Sequence, residues 1–140
     1  MIRTIALAAL AAALTWPAVA AAACTGADPA ITSVSVAGVT PEGGVDHYHI
    51  TGTVVNRGNQ AQASSVLQFV DIVQNGQRLD SKSIPPLTVG QSYVFSYDAL
   101  RSTGAGKGTT TLHFRIRMRS PSAPGGANCT ADDDQNSLTF

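Results

Sequence analysis

The sequence predicts an all-β protein, an immunoglobulin-like seven-stranded antiparallel β-sandwich. Three observations indicate this fold class. Helical periodicity is absent after the apolar N-terminal segment. Short segments in which apolar and polar residues alternate recur about every ten to fifteen residues. Each of these segments is closed by Gly, Pro, Asn or Asp, the residues that favour turns.

The alternating segments give the predicted strands in order. They are Ala30 to Ala37, His47 to Val55, Val66 to Val73, Gln77 to Ser83, Ser92 to Tyr97, Thr110 to Met118, and Gln135 to Phe140. The turns between them are expected to work in different ways. Gly43-Gly44 and Asn56-Arg57-Gly58 are expected to supply positive φ, and Asn75-Gly76 suits a tight hairpin. Pro85-Pro86 forbids ladder hydrogen bonds where the chain must change sheets.

Alternation also assigns a core face to the strands. The side chains expected to point into the core are Tyr48, Ile50 and Val54 in the second strand, Tyr93, Phe95 and Tyr97 in the fifth, and Leu112, Phe114, Ile116 and Met118 in the sixth. The third strand differs, because it carries apolar side chains on both faces. One set is Val66, Val70 and Ile72, and the other is Leu67, Phe69 and Val73. One of these faces is therefore a candidate surface for a partner.

The N-terminus is typical of a secretory signal peptide. Arg3 gives a positive start, Ile5 to Leu14 is an unbroken apolar run, and Ala18-Val19-Ala20 offers a cleavage site of small residues. We expect residues 1–23 to be the signal and residues 24–140 to form one domain in the periplasm or outside the cell. An uncleaved anchor is the alternative, but a proline interrupts the leader. No later stretch approaches the about 20 apolar residues that span a bilayer.

The two cysteines, Cys24 and Cys129, lie near opposite ends of the predicted mature chain. In an oxidising compartment the expected arrangement is a disulfide between them. Closing so long a loop stabilises a fold by up to about 4 to 5 kcal/mol in the chain-entropy model. The alternative is lipidation of Cys24, which follows three alanines, and that would leave Cys129 unpaired.

Composition and motifs exclude several functions. Without Arg3 the chain has eight Lys and Arg against nine Asp and Glu, so it does not suit a non-specific nucleic-acid binder. No hydrolase or metalloprotease motif is present, and we expect no enzyme activity. Residues 103–109 superficially resemble a phosphate loop, but Lys107 is followed by glycine and a strand follows where a helix is required.

No metal or other cofactor is expected. His47 and His49 leave the same face of a strand and, with Asp46 nearby, are the best candidates for a metal pair, but nothing in the sequence completes the ligand set. Asp132-Asp133-Asp134 lacks the spacing and the glycine of a dedicated calcium loop, so it is interpreted as a solvated turn.

The sixth strand carries the candidate binding residues. His113, Arg115, Arg117 and Arg119 alternate with the apolar set, so a row of basic side chains is expected on its exposed face. Guanidinium groups bind carboxylates and phosphates in bidentate fashion. A solvated face that discourages sheet stacking is the alternative interpretation.

Four motifs along the chain resemble the CARDB family, the cell-adhesion-related bacterial immunoglobulin-like domains. They are residues 52–58 (GTVVNRG), 84–92 (IPPLTVGQS), 108–112 (GTTTL) and 134–138 (DQNSL), within a pattern that runs from Ile31 to Phe140. The acidic segment before the last strand, Asp132 to Asn136, is shorter here than in the family. The resemblance implies an adhesive or ligand-presenting module.

These observations lead to two hypotheses of function. The first is a non-enzymatic adhesion or envelope accessory module that contacts an envelope or extracellular protein through the outer face of the third and sixth strands. The second is a binder of acidic glycan or lipid headgroups through the arginine row. Only the second should weaken steeply with ionic strength.

Overall fold

The computed structural model describes residues 25–104, 108–119 and 128–140. The predicted signal peptide and Cys24 lie outside these ranges. The described strands are β1 Pro29–Glu42, β2 Val45–Asn56, β3 Leu67–Gln74, β4 Gln77–Ile84, β5 Ser92–Ser102, β6 Thr111–Arg119 and β7 Gln135–Thr139. Within the described ranges, no helix is long and apolar enough to cross a membrane.

The strands form two antiparallel sheets, which confirms the predicted sandwich. One sheet has three strands in the order β1-β2-β5, and the other has four in the order β4-β3-β6-β7. All seven predicted strands are present, but β1 and β5 are longer than expected. Two bulges let β1 continue past its predicted end at Ala37 and pair with β2 as far as Glu42. The polar end of β5 is a strand because β2 pairs with it as far as Ser102.

Two of the three predicted positive-φ turns are confirmed. Gly43 and Gly44 have φ of 58° and 82°, and Asn75 and Gly76 have φ of 50° and 79°, as a tight primed hairpin turn requires. The prediction for residues 56–58 is wrong, because none of these three residues has a positive φ.

Glycine is needed at position 58 for a different reason, the close approach of another segment. A Cβ there would lie 2.1 Å from the carbonyl oxygen of Gly26 and 2.7 Å from the amide nitrogen of Asp28. The turn after β2 is thus pressed against the chain that leads into β1. The Pro85-Pro86 prediction holds, because β4 and β5 belong to different sheets.

The core lies between the sheets and matches the predicted faces. Its most buried side chains include Ile50 and Val54 of β2, Val70 and Ile72 of β3, Phe95 of β5, and Leu112 and Phe114 of β6. The predicted core residues Tyr48, Tyr93, Tyr97 and Met118 are partly buried and pack against this cluster. Gln68 of β3 is also fully buried, and its amide donates to the carbonyl oxygen of Pro85 at 3.0 Å.

The acidic segment before β7 joins the two sheets through its backbone. The amide of Ile31 in β1 donates to the carbonyl oxygen of Asp133 at 2.9 Å, and the amide of Ile116 in β6 donates to that of Asp134 at 2.8 Å. Asp132 is exposed, but Asp133 and Asp134 are partly buried. The interpretation as a solvated turn is therefore right for Asp132 only.

A candidate binding face on the four-stranded sheet

Strand register places the predicted basic residues on the outer face of the four-stranded sheet. Between β6 and β3, Arg117 lies opposite Phe69, Arg115 opposite Asp71, and His113 opposite Val73. Directly opposite residues of an antiparallel pair share a face. The alternate residues of β6, Leu112, Phe114 and Ile116, are buried, so the basic set points outward, as the alternation predicted.

Arg117, however, is already engaged by a carboxylate of the same sheet. Its Nε donates to Oδ2 of Asp71 at 2.6 Å and its Nη2 donates to Oδ1 at 3.0 Å, a bidentate pair. The hydroxyl of Ser81 in β4 donates to the same carboxylate at 2.6 Å and accepts from Arg117 Nη2 at 3.1 Å. Arg78 Nη1 lies 3.7 Å from Asp71 Oδ2.

Hydrogen bonding to Arg117 lowers the pKa of Asp71, in spite of the burial that opposes it. The same bond raises the pKa of Arg117 above its usual range. The expected row of three available guanidinium groups is thus interrupted at its centre. Sequence reasoning missed this because it identified the outer face of β3 only by its apolar residues; the aspartate that lies between Phe69 and Val73 on that face was the available signal.

We expect Arg117→Gln to lower the free energy of unfolding by about 1 to 3 kcal/mol, because it leaves the Asp71 carboxylate buried without its main partner. Urea unfolding measures the change. Arg119→Gln, in the same strand and of equal charge change, is the control and should cost less than about 0.5 kcal/mol. Equal effects of the two variants would contradict the importance of the pair. Because the pKa of Asp71 is lowered, its contribution is present above pH 3.8 and is lost as the pH falls further.

The apolar part of the face surrounds Phe69. The guanidinium carbon of Arg117 lies 4.7 Å from the centre of the Phe69 ring, and that of Arg119 lies 6.0 Å from it. Leu67, on the same face of β3, is 55% exposed. The face therefore presents one large apolar side chain beside an aromatic ring covered by two cations.

An open groove of about 550 Å³ lies on this face next to Arg115. Its lining residues are Val73, Gly76, His113, Phe114, Arg115, Gln135, Asn136 and Ser137. In the part of the chain that the structure describes, Arg115 has no ion-pair or hydrogen-bond partner. Gln135 lies opposite Arg115 and Ser137 opposite His113 in β7. An unpaired guanidinium among neutral donors suits a carboxylate.

The two histidines of β2 lie on the opposite sheet and are engaged separately. His49 Nδ1 lies 2.6 Å from Asp98 Oδ1, and His47 Nε2 lies 3.7 Å from Glu42 Oε2. Within the described ranges, no group of three His, Cys, Asp or Glu is placed to hold a metal ion. The structure thus brings His47 and His49 to one face without completing a metal site.

The structure places Cys129 on the exposed loop before β7. The neighbouring Thr130 amide donates to Asp28 Oδ1 at 2.9 Å, so this loop lies beside the beginning of β1. Cys24 lies outside the described residues, and the Cys24–Cys129 disulfide stays a prediction.

The strand order and the two facing sheets define the class of the fold, an immunoglobulin-like β-sandwich. Among solved structures, the chain is similar to the CARDB domain of the PF1109 protein from Pyrococcus furiosus, in complex with di-metal ions. The TM-score is 0.54 at 12% sequence identity, and the match covers 89% of this chain and 96% of that one. This confirms the CARDB resemblance at the level of the fold. No family model matches the chain, and no curated protein matches it.

Proposed function

We propose that the chain is an exported, non-enzymatic binding module of the adhesion-related type, and that it contacts a partner protein through the outer face of its four-stranded sheet. The observation that carries the proposal is the groove beside the unpaired Arg115. A partner carboxylate bound to Arg115 and an apolar contact on Leu67 and Phe69 would use the two available features of this face.

The electrostatics favour a protein partner over an acidic glycan or a lipid headgroup. Asp71 neutralises Arg117, which separates Arg115 from Arg119. A polyanion gains most from several unpaired cations in a row, whereas a single guanidinium in a groove binds a single acidic side chain or chain terminus. The glycan or headgroup alternative would rest on His113, Arg115 and Arg119 alone.

The CARDB domain from Pyrococcus furiosus is in complex with di-metal ions, but the described residues of this chain do not fit such a group. Burial, and then neighbouring carboxylates that include Asp28, raise the pKa of Asp133 and of Asp134, yet the described residues do not gather these groups as metal ligands. We therefore propose no metal role.

A cross-linking pull-down from cells that make the full-length protein tests the function. Arg115→Gln is expected to lose the captured protein, whereas Arg57→Gln, with the same charge change on an exposed side chain outside this face, should retain it. Circular dichroism melting confirms that both variants fold. If the Arg115→Gln variant captures the same protein as the wild type, the assignment of the site is wrong. A captured species that is glycan or lipid, released steeply by salt, would support the alternative function.

Export and the state of Cys24 belong to the same proposal. We propose cleavage after the leader, residence in the periplasm or outside the cell, and a disulfide between Cys24 and Cys129. The hydrogen bond from Thr130 to Asp28 supports the cysteine pairing, because it holds the Cys129 loop near the N-terminal end of the domain. Intact-mass measurement under non-reducing conditions, on protein taken separately from the periplasmic and culture fractions, tests all three. A mass that includes an acyl addition would show instead that Cys24 is lipid-anchored.

A further inference from the structure

Three of the four sheet edges carry features that discourage pairing with another strand. β1 has two bulges and contains Pro41, and β4 has a bulged pairing with β3 and carries Lys82. β7 is only five residues long. Bulges, proline, lysine and short length are the usual ways in which natural proteins protect an exposed strand edge.

β5 lacks these four protections. The strand is eleven residues long, pairs with β2 without a bulge, and contains no proline, glycine or lysine. Its two charged side chains are engaged within the chain: Asp98 Oδ1 lies 2.6 Å from His49 Nδ1, and Arg101 Nη1 donates to the carbonyl oxygen of Phe140 at 2.7 Å. Its side away from β2 has no strand partner among the described residues. On its outward face Val94 is 60% exposed and Leu100 is 67% exposed. A long, regular and partly apolar edge of this kind is a template for one more strand.

We infer that the β5 edge binds β5 of a second copy of this chain, antiparallel, about a two-fold axis at Tyr97. Such an axis keeps the core face of both three-stranded sheets on the same side and joins them into one continuous sheet. It places Val94 opposite Leu100 twice, once on each side of the axis, and Ser92 opposite Ser102. The exposed apolar residues of each copy therefore cover those of the other.

The neighbouring registers are less favourable. An axis at Asp98 would set the two Asp98 carboxylates directly opposite each other, and like charges in that position are destabilising. An axis at Ser96 would set Asp98 opposite Val94. Registers that exchange the inward and outward faces are forbidden by the alternation of side chains. Among these three axes, the one at Tyr97 therefore suits the sequence of β5 best.

Charge at the axis also suits a second copy. Lys82 Nζ of β4 lies 2.8 Å from Asp80 Oδ2. Both side chains are close enough to Tyr97 to influence its pKa, which is raised chiefly by burial and next by Asp80. The two-fold axis at Tyr97 therefore brings a pair of charges that neutralise each other near its copy, and no unpaired like charges meet there.

Size-exclusion chromatography with light scattering, followed by cysteine cross-linking, tests the pairing. We expect a concentration-dependent dimer. A mixture of the Ser92→Cys and Ser102→Cys variants should form a mixed disulfide dimer on mild oxidation, because only the Tyr97 axis sets these positions opposite each other. Neither variant alone should cross-link, since the paired copies hold identical positions far apart. A wild-type chain that stays monomeric up to about 1 mM, or a mixture that does not cross-link, would overturn the inference.

The Leu100→Lys variant tests the interface by placing a charge in it. It is expected to weaken the dimer at least about tenfold, while Leu79→Lys, the same substitution at an exposed leucine on the β4 edge, leaves it unchanged. Both positions are exposed, so both variants should keep the wild-type melting temperature. A dimer that tolerates Leu100→Lys, or that is lost equally in both variants, would contradict pairing through β5.

Discussion

Replacing Asn56 by alanine is expected to lower the free energy of unfolding by about 3 to 5 kcal/mol. The side chain is fully buried at the end of β2 and makes four hydrogen bonds. Its Oδ1 accepts from the amides of Asp28 at 2.9 Å and Gly58 at 3.0 Å. Its Nδ2 donates to the carbonyl oxygens of Gln60 at 2.8 Å and Leu87 at 3.0 Å. Alanine leaves all four backbone groups without this partner, and urea unfolding measures the cost.

Asn56→Asp separates the hydrogen-bond network from the volume of the side chain. A carboxylate still accepts from the two amides, but it cannot donate to the two carbonyl oxygens and repels them. We expect a destabilisation at pH 7 that becomes smaller as the solution is acidified and the new carboxyl group is protonated. Asn59→Ala is the control, because exposed Asn59 accepts only one bond, from the Gly26 amide at 2.9 Å, and should cost about 1 kcal/mol or less. An Asn56→Ala effect no larger than this control would contradict the proposed role.

Asn56 also shows what sequence reasoning could and could not predict. The asparagine-x-glycine motif was correctly identified as the end of a strand, since turn-forming residues interrupt an alternating pattern. Its mechanism was predicted wrongly, because two of the four partners of the asparagine, Asp28 and Leu87, lie 28 and 31 positions away and no local pattern reports them. Glycine is likewise needed at position 58 because another segment packs closely against it, and not because its φ is positive.

The candidate binding face was also only partly predictable from the sequence. Alternation along β6 sufficed to place His113, Arg115, Arg117 and Arg119 outward, because a two-residue period is a local property of strands. That Arg117 is neutralised and Arg115 is not depends on the pairing of β6 with β3, a non-local choice. The sequence therefore predicted the side of the sheet. The register sets Asp71 directly opposite Arg115, yet the carboxylate binds the diagonal neighbour Arg117, so the side-chain conformations select the residue.

Asp134→Asn is expected to stabilise the domain at pH 7 by about 1 to 3 kcal/mol. Burial, and next the neighbouring Asp133, raise the pKa of Asp134 from 3.8 to about 6. Its Oδ1 is buried and has no hydrogen-bond partner among the described residues, while its Oδ2 accepts from the side-chain amide of Asn128. Asparagine retains an oxygen for the Asn128 bond and removes the charge that the folded state disfavours.

The pH dependence follows from the direction of the shift. A carboxyl group whose pKa is raised on folding binds its proton more tightly in the folded state, so its stabilising contribution is present below pH 3.8 and is lost as the pH rises through about 6. The wild-type domain should therefore gain stability as the pH falls from 7 to about 4.5, and Asp133, whose pKa is also raised chiefly by burial, adds to this gain. Urea unfolding across this range should show a flatter profile for Asp134→Asn. Asp132→Asn, at an exposed position in the same loop, should keep the wild-type slope of the free energy of unfolding against pH. Identical profiles for the two variants would show that burial of Asp134 does not govern the acid response.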